Sequence, residues 1–382
     1  MGRVRICQLV TELGPGGAER IVYELATRLD KGRLDVQVAA LRGGEVAGWL
    51  AEAGVKTTIL GVLGKWDIRK LCGLADLLRR ERIDLLHTHL FHADLAGRLA
   101  AGLAGVPHLV HTIHTAEGRF RPWQFAFARL ASGRCDRLIC VSQSVRTWHA
   151  RRSGLPLWRY AVIPNGIDAD AFGRDEQARR RLRAEWGAGE DDVIVVFVGR
   201  LHRDKGIDTL LAAMSHLSAR GNPKDLVIAG DGPERNMVKT FVSHGEGGTH
   251  CRWLGLRRDV RDILSAADVF AMPSRWEGFG LALGEAMAGA LPVVATRVPG
   301  IRDLITDGDT GLLVDRDDVT GFAEALNRLV SDADLRNRLG SAAKRHVTER
   351  YSIGEMIAAH ERLYADVVGD RTGQGRSAAI SL

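Results

Sequence analysis

The stretch PSRWEGFGLALGEAMAG, residues 273–289, decides how this chain reads. In front of it, ADVFAM (267–272) is an apolar run that predicts a buried strand. Behind its Gly-Phe-Gly turn, residues 281–288 are rich in good helix formers. A strand, a glycine turn and a helix start aim free backbone N–H groups and the positive end of a helix dipole at one point, and phosphate is the expected guest. Glu277 and Glu285, with seven residues between them, would repel a phosphate as direct ligands. They suit hydroxyl groups on either side of it. Ribose, diphosphate and hexose in a row have that layout. Either glutamate alone reads equally well as an exposed acid flanking a helix; the pair, with Gly278 and Gly280 between, is far more specific.

Outward from this stretch the same alternation recurs. In the second half, VIVVFVGRL (193–201), DLVIAGDGP (225–233), LPVVAT (291–296) and TGLLV (310–314) predict strands. In the first half RICQLV (5–10), VQVAAL (36–41), TTIL (57–60), DLLHTHL (84–90), LVHTIH (109–114), RLICVS (137–142) and YAVIPNGID (160–168) do so. Helical patterns lie between them, as in Ala18, Ile21, Val22, Leu25, Ala26 and Leu29. The expected fold class is therefore α/β, with two doubly wound domains joined near PNGID and ligands at the carboxyl ends of the strands, in a cleft between the domains. A length of 382 residues and an apolar fraction of 45% suit two domains with separate cores.

GRLHRDKG (199–206) follows a strand and places Arg200 and Lys205 where both can face one point, as charge growing on a diphosphate leaving group requires. A solvated cationic loop is the competing reading. Gly230, in AGDGP, permits either close approach of a ligand or a plain turn, and Trp253-Leu254-Gly255 reads as a short strand end offering backbone atoms to a base or as plain core.

In the first half, Gly14-Pro15-Gly16-Gly17-Ala18-Glu19 opens a helix but departs from the dinucleotide fingerprint, because Glu19 stands where Gly or Ala is needed. Histidines at 87, 89, 92, 108, 111 and 114 invite a metal reading, but Asp94 is the one acid close by, so no metal is expected. Residues 118–129 interleave Arg119, Arg121 and Arg129 with Phe120, Trp123, Phe125 and Phe127, and Trp148, Arg151, Arg152, Trp158 and Arg159 extend the mixture. That composition fits an anionic membrane surface, or equally core aromatics under solvated arginines. The balance of +10 over residues 1–165, against −4 over the remainder, leans toward the membrane. Nucleic acid as a partner has no recognisable module behind it. The N-terminus lacks a signal-peptide pattern, no window is apolar enough to span a bilayer, and five cysteines without a C-x-x-C pair suggest a reducing compartment. A cytoplasmic protein, peripheral on the inner face of the membrane, is the expectation.

GPGGAER, VIPNGID, GRLHRDKG, GDGP and PSRWEGFGLALGEAMAGALPVVAT, in this order along residues 5–365, resemble the retaining glycosyltransferases of family GT4, with the GT-B fold of two Rossmann-like domains facing a central cleft. The resemblance implies that Arg200 and Lys205 bind the donor diphosphate, with backbone amides of Phe279, Gly280 and Leu281. It implies that Glu285 holds the ribose, that Glu277 contacts the hexose, that Gly16 and Gly17 approach the donor phosphate, and that His114 contacts the sugar. Gly230 and Leu254 belong to the same donor set. The implied domains are 1–166 with a returning helix at 353–368 for the acceptor, and 167–352 for the donor, with 369–382 as a disordered tail. The implied activity moves a hexose, from a UDP- more than a GDP-sugar, to a saccharide or lipid-linked acceptor, with no cofactor. A GT-B epimerase, a phosphorylase or an inactive membrane-associated binding protein stay open as alternatives.

Overall fold

Strands buried on both faces read as near-continuous apolar runs, and IVVFV at Ile194–Val198 and VFAM at Val269–Met272 are buried throughout. The structure is a computed structural model, and it describes residues 3–62, 67–116, 120–219, 225–244 and 250–369. Its strands are β1 (Val4–Glu12), β2 (Leu34–Arg42), β3 (Thr57–Ile59), β4 (Leu85–His89), β5 (His108–Ile113), β6 (Arg137–Cys140), β7 (Tyr160–Val162), β8 (Ile194–Val198), β9 (Asp225–Ala229), β10 (Cys251–Gly255), β11 (Val269–Met272), β12 (Val293–Thr296) and β13 (Leu312–Val314). They form two sheets, in the orders β3-β2-β1-β4-β5-β6-β7 and β10-β9-β8-β11-β12-β13. Every pairing between them is parallel.

The chain divides into two compact units. One holds the residues up to Asn165 together with those from Gly354 onward; the other is Gly166–Ile353. Each is a doubly wound α/β unit, as the strand–helix alternation predicts. The first unit's core includes Val10, Leu13, Val22, Ala26, Val38 and Leu50, between β1, β2 and the helix Gly17–Arg28. The second unit's includes Val195, Phe197, Leu210, Met214, Ile228, Phe322 and Leu326. The helix Ile353–Gly369 packs Tyr364 and His360 against β1 and β4 of the first unit. Residues 370–382, the bulk of the predicted tail, lie outside the described residues, as do Gly118 and Arg119.

Strand order fixes where the sites can form. In the first sheet the order reverses between β1 and β4; in the second it reverses between β8 and β11. At such a switch point the loops leaving two adjacent strands run to opposite faces and leave room between them. The loop after β1 is GPGG, and those after β8 and β11 are GRLHRDKG and PSRWEGFG. The segments singled out by composition are thus at the topological switches. One strand escaped the apolar-run criterion: β10 (CRWLG) is half-buried along its whole length at the sheet edge, so it carries no continuous apolar run. Among the described residues no helix is long and apolar enough to cross a membrane.

Candidate active site

In the second unit the loops after β8 and β11 meet. Pairing of Val269 with Val195 and of Phe270 with Val196 sets their starting points side by side. From there a short 3₁₀ turn, Arg203–Lys205, carries Lys205 back, and its Nζ donates to Glu277 Oε1, 72 residues away in sequence. The same oxygen accepts from Ser274 Oγ at 3.1 Å. Thr296, at the end of β12, donates its hydroxyl to the Ser274 carbonyl and fixes that turn from below. Glu277 is buried and the Lys205 side chain is about a quarter exposed. The pair therefore lies at the rim, where a cation can exchange one anionic partner for another at modest desolvation cost.

Gly280, with φ 88°, is the N-cap of the helix Leu281–Ala288. Its preceding residues Gly278 and Phe279 are buried, and Glu285 stands half-buried one turn into the helix. Arg200 is exposed at the end of β8, and no ion pair among the described residues ties it to Lys205's partner. Arg275, which sequence reasoning passed over, holds the loops in register. Its guanidinium donates to Asp208 at 2.8 Å and to Asp317 at 2.6 Å, while its backbone N–H donates to the Asp204 carbonyl at 2.7 Å.

Two glycines are required by backbone contact. Gly206 has φ +63°, and a Cβ there would lie 2.0 Å from the Pro273 carbonyl oxygen. Gly230 has φ +146°, and its Cβ would lie 1.9 Å from the Gly199 carbonyl oxygen. Of the two readings open for Gly230, its surroundings supply a packing reason that needs no ligand. The same holds for Trp253, whose indole N–H donates to the Gly230 carbonyl at 2.8 Å and whose ring packs on the core. Leu254 follows it, half-buried in β10.

In the first unit Gly16 caps the helix Gly17–Arg28, and both Gly16 and Gly17 are exposed. The Glu19 carboxylate is folded over this helix start, close enough that a Cβ on Gly16 would lie 2.2 Å from it. A carboxylate held there competes with a pyrophosphate for the helix N-terminus.

Four of the histidines, His87, His89, His111 and the half-buried His114, make side-chain hydrogen bonds around β4 and β5, while His92 is exposed and His108 lies at the start of β5. His114, one residue past β5, is 2.9 Å through Nε2 from His89 Nδ1. His89 Nε2 donates to Gln8 Oε1 at 2.6 Å, and Gln8 Nε2 donates to Tyr364 Oη at 3.1 Å. Tyr364 Oη is 2.7 Å from His87 Nδ1, and His87 Nε2 is 2.7 Å from Thr112 Oγ1. On the opposite face of β4, Thr88 Oγ1 donates to Asp94 at 3.1 Å and is 3.0 Å from His111 Nδ1, while Arg98 donates to both Asp94 oxygens at 2.9 Å. Burial drives His87 and His89 well below the ordinary imidazole range, with the neighbouring histidines adding to it. Burial pushes His114 down to about 3 and His360 to about 4. These imidazoles are neutral at physiological pH. Among the described residues no three His, Cys, Asp or Glu side chains are grouped to hold a metal ion. Sequence pattern could not have found Gln8 or Tyr364, which are 356 positions apart.

The basic aromatic segment divides. Phe125 is buried against Phe120 and Trp148. Trp123, Leu130, Leu157 and Trp158 are exposed, at 53%, 86%, 54% and 65%. A cavity of about 510 Å³ in the same segment is lined by Phe120, Pro122, Phe125, Arg129 and Arg152.

Two parallel Rossmann-like units with loops gathered at their switch points define a class, and comparison with known proteins gives its family. The Glycosyltransferase Family 4 pattern matches residues 15–171 and the Glycosyl transferases group 1 pattern matches residues 178–346. The chain is 31% identical to the alpha-maltose-1-phosphate synthase of Mycolicibacterium smegmatis, over 95% of this chain and 100% of that protein. It is 26% identical, over 92% of this chain and 94% of the other, to the UDP-Gal:alpha-D-GlcNAc-diphosphoundecaprenol alpha-1,3-galactosyltransferase of Escherichia coli. HepE of Anabaena, solved with UDP and glucose, shares the fold with a TM-score of 0.85 at 21% identity, covering 95% of this chain and 100% of that one. The chain belongs to the family 4 glycosyltransferases of GT-B fold, and it is an enzyme of that class.

Proposed function

We propose that this glycosyltransferase moves a hexosyl group from a UDP-sugar to a hydroxyl of a lipid-linked saccharide or cell-envelope glycan, with retention of configuration. The observation that carries the reading is the Lys205–Glu277 pair beside the Gly280 helix start. A diphosphate arriving at that helix takes over the Lys205 ammonium, with Arg200 as a second cation. Glu277, released from the pair, accepts from sugar hydroxyls, and Glu285 from the ribose. The bond from the sugar's anomeric carbon to the phosphate oxygen breaks as the acceptor oxygen bonds that carbon on the same face. The acceptor proton passes to the departing phosphate oxygen. Charge growing on the diphosphate is met by Lys205, Arg200 and the amides of Phe279, Gly280 and Leu281. Gly16, Gly17 and His114 contribute from the first unit, and no metal or other cofactor takes part. Support for UDP comes from HepE, solved with UDP, and support for a lipid-linked acceptor comes from the Escherichia coli relative, whose acceptor is a diphosphoundecaprenol saccharide.

The exposed Trp123, Leu130, Leu157 and Trp158 beside Arg129 and Arg152 support peripheral contact with an anionic membrane, which would bring the enzyme to such an acceptor. The deciding experiment measures thermal stabilisation by UDP-, GDP- and ADP-sugars, then assigns the anomer of the product by NMR. Stabilisation by UDP-sugars, lost in Lys205→Ala, together with a product of the donor's configuration, is expected. An inverted product, or no response to any nucleotide-sugar, sinks the reading.

A further inference from the structure

The polar contacts around His114 have a direction. An amide oxygen only accepts and an amide nitrogen only donates. Gln8 Oε1 lies against His89 Nε2 at 2.6 Å, so that nitrogen carries the proton and His89 Nδ1 is the bare one. His89 Nδ1 can then only accept, and the proton in its 2.9 Å contact belongs to His114 Nε2. At the other end, Gln8 Nε2 donates to Tyr364 Oη at 3.1 Å, so the phenol's own proton goes to His87 Nδ1 at 2.7 Å. His87 Nε2 in turn donates to Thr112 Oγ1 at 2.7 Å. Five bonds thus run head to tail from His114 to Thr112, and reversing any one of them would force the rest to reverse.

The chain's orientation follows Gln8, whose amide oxygen is taken by His89 and whose amide nitrogen is taken by Tyr364, the residue that links it to the His87–Thr112 end. Gln8 is fully buried and Tyr364 is 1% exposed, so neither has water as an alternative partner. Tyr364 sits on the helix Ile353–Gly369, the segment of chain that returns to the first unit after the second is complete. We propose that Tyr364, through Gln8 and His89, is a positioning residue that holds His114 as the Nε2–H tautomer and leaves His114 Nδ1 as a hydrogen-bond acceptor for the substrate. Among the described residues none hydrogen-bonds that Nδ1. A group recognised there must donate. A sugar hydroxyl meets this requirement, whereas a phosphate or carbonyl oxygen does not. This last step rests on the proposed contact between His114 and the transferred sugar; the tautomer itself does not.

The test is a long-range proton–nitrogen NMR spectrum of the full chain carrying ¹⁵N-histidine, recorded without nucleotide-sugar, with His114 assigned through His114→Gln. The wild type is expected to show His114 with Nε2 protonated and Nδ1 bare. In Tyr364→Phe the Gln8 amide loses its acceptor, and His114 is expected to become a mixture of tautomers, with a donor KM raised several-fold and kcat changed less. Gln8→Met, which removes both amide contacts at similar length, is expected to give the same mixture and serves if Tyr364→Phe does not fold. A wild-type His114 protonated on Nδ1 overturns the proposal, as does an unchanged Nε2–H tautomer in either variant. Addition of UDP-glucose and UDP-galactose afterwards tests the sugar contact separately. A still His114 Nδ1 signal would remove that contact and leave the relay intact.

Discussion

The two switch-point sites solve one problem in opposite ways. Both place polar groups on strands that flank a topological switch, or on the loops that leave them. In the second unit the solution is charge: Lys205 is matched to Glu277 at a rim where solvent still reaches the cation. In the first unit it is neutrality: three imidazoles, an amide and a phenol, all but the half-buried His114 fully buried, share their protons along hydrogen bonds. The difference follows from depth. A buried ion costs several kcal/mol even when paired, whereas a buried neutral group costs little once its hydrogen bonds are made. A rim pair can be exchanged for a substrate's charge, and a neutral chain can orient a substrate's hydroxyl.

Acid should break this comparison most severely. His114, His149 and His360 are held down to about 3, 4 and 4 by burial, and His87 and His89 lie well below their ordinary 6.5. The unfolded chain takes up protons on these residues from about pH 6.5, and the folded chain takes them up only well below that, near 4 for His149 and His360 and near 3 for His114. Between those values the unfolded state binds more protons, so stability falls as pH falls. All five belong to the first unit. Peptide-resolved hydrogen exchange, corrected for intrinsic pH dependence, should therefore show β4, β5 and the helix Ile353–Gly369 opening before β8 and β11. Simultaneous opening would refute the contrast.

Lys205→Ala removes the cation from the rim pair. On the proposed mechanism kcat should fall by about 10²–10³-fold, the usual cost of losing one charge-stabilising group. Steady-state turnover of the best UDP-sugar measures it; a drop of less than tenfold would assign the leaving-group charge elsewhere. Gly206→Ala should cost on the order of 3 kcal/mol of stability in the second unit, from an unfavourable φ and a clash with backbone that cannot swing aside. Urea unfolding checks this, with no loss expected in the first unit. The smallest effect belongs to Arg200→Ala. An exposed cation contributes about 1 kcal/mol, so kcat/KM should fall about fivefold, and the loss should shrink at high salt. A change as large as that of Lys205→Ala would mean that the two cations act as one.

Much of this was legible in the chain. β8 and β11 announce themselves because a strand buried on both faces must be apolar throughout. The Gly-Phe-Gly turn and its two glutamates were visible because their spacing is local, within one strand–turn–helix unit. Of β10 only the end at residues 253–255 was legible, as one of two readings, because an edge strand with half-buried residues has no periodic signature. Gly230 and Trp253 left two readings open, since a glycine looks the same in sequence whether it makes room for a ligand or for a neighbouring carbonyl.

The sequence by itself determined the alternation of strands and helices, the two-unit α/β class and the family, because each rests on composition and spacing within tens of residues. Tertiary structure alone decided that Lys205 meets Glu277, that Arg275 ties Asp208 to Asp317, and that Tyr364 holds Gln8. Those pairings depend on strand order and on where the final helix lands. Contacts across 72 or 356 positions are set by packing of whole elements, and residue type leaves no trace of them along the chain.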